Sequence, residues 1–159
     1  VEEYTLMGIP EGTKAVGIAL VSRGQTLIYK YCSVDIDTSV KETILPKTTV
    51  NLATYDRIQE QVFDAHCIAC HGKSSGQPAG NLFLTEGKSY SALVNVKAGA
   101  PVANEKPYVT PGEPDNSFLM DILSENILSH NHTDIFNGSE TTEVNNLLNA
   151  WINNGAKEE

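Results

Sequence analysis

Hydrophobic residues recur at three- and four-residue spacings in three stretches of the chain, the period of a helix with one apolar face. The first stretch leads into Cys67, the second follows Pro114, and the third stops at Gly155, a residue type that often ends helices. A shorter helix is predicted over residues 90–96, with Ser89 as its N-cap. The apolar faces of the three main helices are Tyr55, Ile58, Val62, Ala65 and Ala69; Phe118, Leu119, Ile122 and Leu123; and Val144, Leu147, Leu148, Trp151 and Ile152.

The first fifty residues have a different pattern, rich in residues that favour strands. Residues 14–21 and 26–34 predict a β-hairpin with its turn at residues 22–25, and residues 44–52 a third extended stretch. Cys32 lies in the second strand, where we expect a buried free thiol. Because fifty residues are marginal for an independent core, we expect residues 1–50 to pack on the rest of the chain, to dock a partner or to form a dimer.

Composition and charge narrow the classes of partner. The chain has 159 residues, of which 40% are hydrophobic and 19% charged, an ordinary globular balance. Its net charge of −9 argues against nucleic acid and anionic membranes and favours a basic partner. The longest apolar run, residues 16–21, is too short to span a bilayer.

One motif carries most of the chemistry: Cys67-Ile-Ala-Cys-His71. On a helical turn, Cys67, Cys70 and His71 project to the same side, at positions i, i+3 and i+4. Two thiols in this arrangement can add to the two vinyl groups of one haem, and the adjacent imidazole then reaches the iron. The string C-x-x-C-H is the attachment signal for c-type haem, so we expect one haem c on Cys67 and Cys70.

Three other interpretations of the two cysteines compete with haem. A thioredoxin-like redox pair would follow a strand, whereas the segment before Cys67 is predicted to be helical. A zinc site could combine both thiols with His130 and His132, although the intervening loop is longer than usual zinc-finger spacings. An incidental pair of cysteines is the third interpretation.

Residues from about 53 to 156 resemble the small monohaem cytochrome c domains of the class I fold. The matching strings are Cys67-Ile-Ala-Cys-His-Gly72, Ala92-Leu-Val-Asn-Val96, Pro111-Gly-Glu-Pro-Asp-Asn-Ser-Phe-Leu119 and Ala150-Trp-Ile-Asn-Asn-Gly-Ala156. The resemblance implies a cytochrome c-like helical haem domain over residues 51–159, with His71 as the proximal iron ligand. We therefore expect a mainly α fold with a small β-rich extension over residues 1–50.

The distal iron ligand departs from the resembled family, in which a methionine usually precedes the last helix. Counting back from Trp151 places that position near residues 132–134, where the chain has His-Thr-Asp. His132 is therefore our first choice for the distal ligand. The alternatives are His130, Met120, Cys32, Met7 and an open iron position.

The expected function is electron transfer by this haem, with a low reduction potential if two histidines bind the iron. A basic redox partner suits the acidic chain. The resemblance implies the periplasm or another extracytoplasmic space, with any export signal removed or left out. Two alternatives are a haem-based gas or redox sensor and a haem subunit of a larger oxidoreductase. No nucleophile, acid/base pair or phosphate loop indicates that the chain is an enzyme by itself.

Overall fold

The computed structural model describes residues 3–21, 25, 27–72 and 76–158. The chain divides into two compact units, Val1–Asn51 and Leu52–Glu159. The first is called the hairpin unit below and the second the helical unit. The docking role of the one and the haem-binding role of the other stay predictions.

The hairpin unit is built on one antiparallel pair of strands, β1 (Ala15–Val21) and β2 (Leu27–Asp35). The two predicted strands are confirmed, and three of the four residues of the predicted turn at residues 22–25, residues 22–24, lie outside the described residues. Residues 44–52 form no strand, so the third predicted stretch adds nothing to the sheet. A reason lies in Pro46, which has no N–H to donate to a ladder of hydrogen bonds.

The two strands approach closely at Gly17. A Cβ atom at this position would lie 2.3 Å from the carbonyl oxygen of Cys32, so only glycine fits there. Cys32 itself lies opposite Ile18, is half-buried and has a free thiol. No described residue of the hairpin unit is fully buried, which agrees with the expectation that so short a segment forms no core of its own.

The helical unit contains short helices joined by long irregular connections. The first helical stretch consists of α1, a π-helical segment and α2, which follow one another without a break. The elements are α1 (Tyr55–Ile58), the π-helical segment (Gln59–Cys67), α2 (Ile68–His71), α3 (Ser89–Leu93), α4 (Phe118–Ser124) and α5 (Ser139–Asn153). Single 3₁₀ turns cover Ala79–Asn81, Pro101–Ala103 and Pro114–Asn116.

The apolar faces predicted for α4 and α5 are confirmed. All four predicted residues of α4 are buried, as are those of α5 except Leu147, which is half-buried. Gly155, with φ of 92°, ends α5 as predicted. Its N–H donates to the Ile152 carbonyl and the N–H of Ala156 to the Trp151 carbonyl, both at 2.9 Å. This pair of bonds is the Schellman motif, which satisfies carbonyls that the helix end leaves without partners.

The apolar face predicted for the first helix is only partly correct. Ile58 and Val62 are buried, but Ala65 and Ala69 are exposed, and Phe63 is buried instead. The reason is the π-helical segment, in which hydrogen bonds join residues five apart and the turn is wider than in an α-helix. After Val62, the residues that face the core therefore no longer follow the spacing of an α-helix.

A chain of buried hydrogen bonds joins α1, the π-helical segment and α3. Tyr55 bonds the Ser89 hydroxyl, which donates to Oε1 of Gln59. Nε2 of Gln59 in turn donates to Oδ1 of Asp64 at 2.7 Å and to the Leu84 carbonyl at 3.0 Å. Burial raises the pKa of Tyr55 to about 12, which keeps its hydroxyl protonated as a donor. The hydroxyl of Ser89, predicted as a helix cap, thus belongs to this network, and α3 begins at Ser89.

The predicted fold class is wrong. Of the residues that the structure describes, 35% are helix and 13% strand, which makes the fold mixed α/β rather than mainly helical. The two strands have seven and nine residues, whereas α3 and α4 have only five and seven. Apolar periodicity marked where the helices occur, but the predicted fold class gave too little weight to the β-hairpin beside helices this short.

The buried network predicts unequal costs for two serines of α3. Ser89→Ala leaves Oε1 of Gln59 and the Tyr55 hydroxyl without their partner, so the free energy of unfolding should fall by about 1–3 kcal/mol. Ser91 is exposed and donates only to the Lys88 carbonyl, so Ser91→Ala should change it by less than about 0.5 kcal/mol. Urea denaturation of the purified protein measures both values. Equal losses for the two variants would contradict the network's importance.

Candidate functional site

The two cysteines of the motif lie where the first helical stretch changes from π to α geometry. Cys67 is the last residue of the π-helical segment, is half-buried and packs against the core of the helical unit. Its Sγ lies 3.6 Å from the carbonyl oxygen of Val62, five residues earlier. Cys70 belongs to α2 and is exposed. Both thiols are free, and they differ sharply in their access to solvent.

The electrostatics of Cys67 do not favour thiol redox chemistry. Burial raises the pKa of the Cys67 thiol to about 12, and the neighbouring Cys70 adds to the rise. Reactive redox cysteines have a lowered pKa, because the thiolate is the nucleophile. The segment before Cys67 is also helical, not the strand that a thioredoxin-like site would require.

His71 is held at the end of α2. Its carbonyl accepts a 2.9 Å hydrogen bond from the N–H of Leu84, a buried residue whose own carbonyl accepts from Gln59. The side chain is half-buried, and its Nδ1 is buried with no hydrogen-bond partner among the described residues. Unsatisfied buried nitrogens are uncommon in folded proteins, and an ion or other bound group is one of the explanations for them.

His132 lies opposite His71, on the connection between α4 and α5. The centroids of the two imidazole rings are 6.3 Å apart and the ring planes differ by 33°. Nδ1 of His132 is 2.9 Å from the His130 carbonyl oxygen. Since a carbonyl only accepts, Nδ1 carries the proton and Nε2 keeps its lone pair. Burial also lowers the pKa of His132, which favours the neutral ring that a metal requires.

The two rings fit a single iron held between them. Imidazole nitrogens bind first-row metals at about 2.0–2.1 Å; with each ring centroid roughly 1.1 Å behind its nitrogen, two imidazoles on opposite sides of one metal have centroids about 6.2 Å apart. The observed 6.3 Å matches this separation. A ligating histidine also commonly donates its other N–H to a carbonyl, as His132 does to His130. The residues present therefore fit a bis-histidine haem.

The other proposed distal ligands have different surroundings. The ring of His130 contacts His132, with centroids 5.0 Å apart and planes at 84°, and its side chain is exposed. Met120 is half-buried on α4 and packs against the hydrophobic core. Met7 and Cys32 belong to the hairpin unit. The ring of His132 contacts the ring of His71, so His132 remains our first choice for the distal ligand.

The zinc interpretation finds no support. Among the described residues, which include Cys67, Cys70, His130 and His132, no group of three or more histidine, cysteine or acidic side chains could hold a metal ion. A c-type haem does not need such a cluster, because the porphyrin supplies four of the iron's ligands and the protein only the axial ones.

Gly72 ends the string that contains the haem motif, and it has a packing role that sequence reasoning did not predict. A Cβ atom there would lie 2.7 Å from both the Cβ and the carbonyl oxygen of Ile68. The backbone at Gly72, directly after His71, therefore packs tightly against Ile68 of α2. The only sequence signal was the position of this glycine, immediately after the motif. Nothing in the sequence indicated Leu84, whose N–H binds the His71 carbonyl.

Comparison of the chain with protein-family models, with curated proteins and with solved structures finds no match. The resemblance to class I cytochromes consequently rests on the sequence strings alone. Assignment to that family stays a prediction.

The contact at Gly72 predicts that two glycine substitutions differ in cost. Gly72→Ala brings a Cβ atom into overlap with Ile68 of α2, so the free energy of unfolding should fall by about 1–3 kcal/mol. At Gly99 the nearest atom to an added Cβ is the Tyr108 hydroxyl oxygen, 4.0 Å away, so Gly99→Ala should cost much less. Urea denaturation compares the two, and a Gly99→Ala loss as large as that of Gly72→Ala would contradict the contact's role.

Proposed function

We propose that this protein is an electron carrier with one haem c, attached through Cys67 and Cys70 and bound at its iron by His71 and His132. The observation that carries the proposal is the facing pair of imidazoles, 6.3 Å apart, in a chain whose C-x-x-C-H motif supplies one of them. When bound, the haem supplies one-electron chemistry at its iron. The protein residues attach the haem, orient it and set its reduction potential.

The two histidines favour electron transfer over ligand binding. His71 and His132 would both hold the iron of a bound haem, so a gas or peroxide would bind only after one of the two histidines had left. A second imidazole, unlike a thioether, stabilises ferric iron and so lowers the reduction potential. The hydrogen bond from His132 to the His130 carbonyl raises the basicity of the ring and strengthens this effect. The proposed carrier is therefore a low-potential one.

Charge supports a basic redox partner. The helical unit has 14 acidic and 6 basic residues, a net charge of −8, so it carries nearly all of the chain's −9. Such a surface attracts a basic protein over a distance and speeds transient encounters. Within the described ranges, no helix has the length and apolar character needed to cross a bilayer. We place the protein in the periplasm or another extracytoplasmic space, where haem c is attached in the resembled family.

The hairpin unit favours a second candidate function, that of a haem subunit in a larger oxidoreductase. Several of its large hydrophobic side chains are exposed, among them Leu6 at 76%, Met7 at 85% and Ile44 at 80%. In a sheet of two strands each strand is also an edge, to which a strand of another chain can add. In this candidate, electron transfer by the haem is unchanged, and residues 1–50 dock the partner subunit.

The proposed function predicts a covalent, low-spin haem that binds carbon monoxide only slowly, because His132 must leave the iron first. The haem should stay with the denatured polypeptide, and Cys67→Ala with Cys70→Ala should release it. His132→Ala should open the iron to carbon monoxide, and His132→Met should raise the reduction potential. His130→Gln and Met120→Leu are the matched controls and should leave the absorption spectrum unchanged. These properties are measured by absorption spectroscopy and redox titration.

Each alternative gives a different result. Carbon monoxide binding by the unmodified ferrous protein as rapid as that of His132→Ala would favour a gas sensor. If Met120→Leu or His130→Gln lost the low-spin spectrum and His132→Ala kept it, the distal ligand would be Met120 or His130 and not His132. Stable copurification of a second chain, lost on deletion of residues 1–50, would favour the oxidoreductase subunit. A chain without covalent haem, produced where haem attachment operates, would refute the proposal.

A further inference from the structure

His132 lies in a stretch that has no helix or strand to hold it. The connection between α4 and α5 spans residues 125–138 and is irregular throughout. A metal ligand on such a connection needs other constraints. Each residue that rotates freely lowers the fraction of time in which the His132 ring faces His71. The contacts within residues 130–134, called the distal loop below, supply those constraints.

Asn131 makes most of the hydrogen bonds of the distal loop. Its Oδ1 accepts from the backbone N–H of Thr133 at 3.1 Å and from the Thr133 hydroxyl at 2.9 Å. Its Nδ2 donates to Oδ2 of Asp134 at 2.6 Å. These bonds bridge the backbone on both sides of His132, so the amide of Asn131 fixes the turn at whose centre His132 lies.

The side chain of His132 is held by the same turn. Its Nδ1 donates to the carbonyl of His130, which leaves Nε2 as the nitrogen available for a metal. That bond needs the His130 carbonyl and the His132 ring to stay on the same side of the turn. A loosened turn would move the ring away from His71 without removing any ligand.

We propose that Asn131 is a positioning residue for the distal ligand: its side-chain amide holds the turn that keeps His132 facing His71. This inference rests on the proposed bis-histidine function and goes beyond it, since it assigns control of distal ligation to a residue that touches neither haem nor iron. Asp134 accepts the hydrogen bond from the Asn131 amide that completes this arrangement. Loss of the amide increases the fraction of protein in which His132 has left the iron.

The test is the rate of carbon monoxide binding to the purified ferrous holoprotein, which requires His132 to dissociate first. Asn131→Ala should bind carbon monoxide about tenfold faster, the equivalent of about 1.4 kcal/mol. Asn131→Asp should also bind it faster, because a carboxylate does not donate to Asp134 and repels it. The double variant Asn131→Asp with Asp134→Asn exchanges donor and acceptor and should return the rate towards that of the unmodified protein.

Two controls separate positioning from general loss of stability. Asn153→Ala removes an exposed asparagine of α5 whose Nδ2 donates to Oδ1 of Asn149 at 2.7 Å, and it should leave the rate unchanged. His132→Ala sets the rate expected when the distal ligand is absent. A variant that is merely less stable would not regain slow carbon monoxide binding when the donor and the acceptor are exchanged.

The outcomes distinguish this inference from the proposed function. If His132→Ala binds carbon monoxide rapidly but Asn131→Ala does not, the positioning role is refuted and the bis-histidine function stands. Failure of the double variant to slow binding would likewise refute the role of the Asn131–Asp134 bond. If His132→Ala behaves as the unmodified protein, or if no haem is attached, the proposed function is wrong and the inference falls with it.

Discussion

The facing imidazoles of His71 and His132 are the constraint on which the proposed function depends. They come from separate segments of the helical unit: His71 ends α2, and His132 lies on the connection before α5. Each ring has one nitrogen whose surroundings bear on ligation: Nδ1 of His71 is buried without a partner among the described residues, and Nδ1 of His132 donates to the His130 carbonyl. The geometry suits one iron, and the neutral state of His132 suits ligation.

The rest of the helical unit fixes the position of His71. The buried chain of hydrogen bonds from Tyr55 through Ser89 and Gln59 ends at the Leu84 carbonyl, and the Leu84 N–H binds the His71 carbonyl. These bonds connect Tyr55, in the first turn of the first helical stretch, to His71, its last residue. They pass through Ser89 and Leu84, which lie outside that stretch. The two histidines are therefore supported differently, His71 by a buried network and His132 by a short hydrogen-bonded loop.

Sequence reasoning predicted the paired strands and the buried faces of α4 and α5, because alternation and helical periodicity are local signals. It also named Cys67, Cys70, His71 and His132, whose role in binding haem stays a prediction. It was wrong about the fold class and about Ala65 and Ala69, which are exposed. Periodicity assumes 3.6 residues per turn, and no local signal announced the π-helical segment. The bond from Leu84 to His71 and the tight fit at Gly72 were also missed, since both depend on tertiary contacts.

The most direct test of the account is the electron paramagnetic resonance spectrum of the purified ferric protein at cryogenic temperature. Two neutral imidazoles whose planes differ by 33° should give a rhombic low-spin signal, because near-parallel rings split the iron d orbitals unequally. That signal should disappear in His132→Ala. A high-spin signal, or a low-spin signal that survives the loss of His132, would contradict ligation of the iron by His71 and His132.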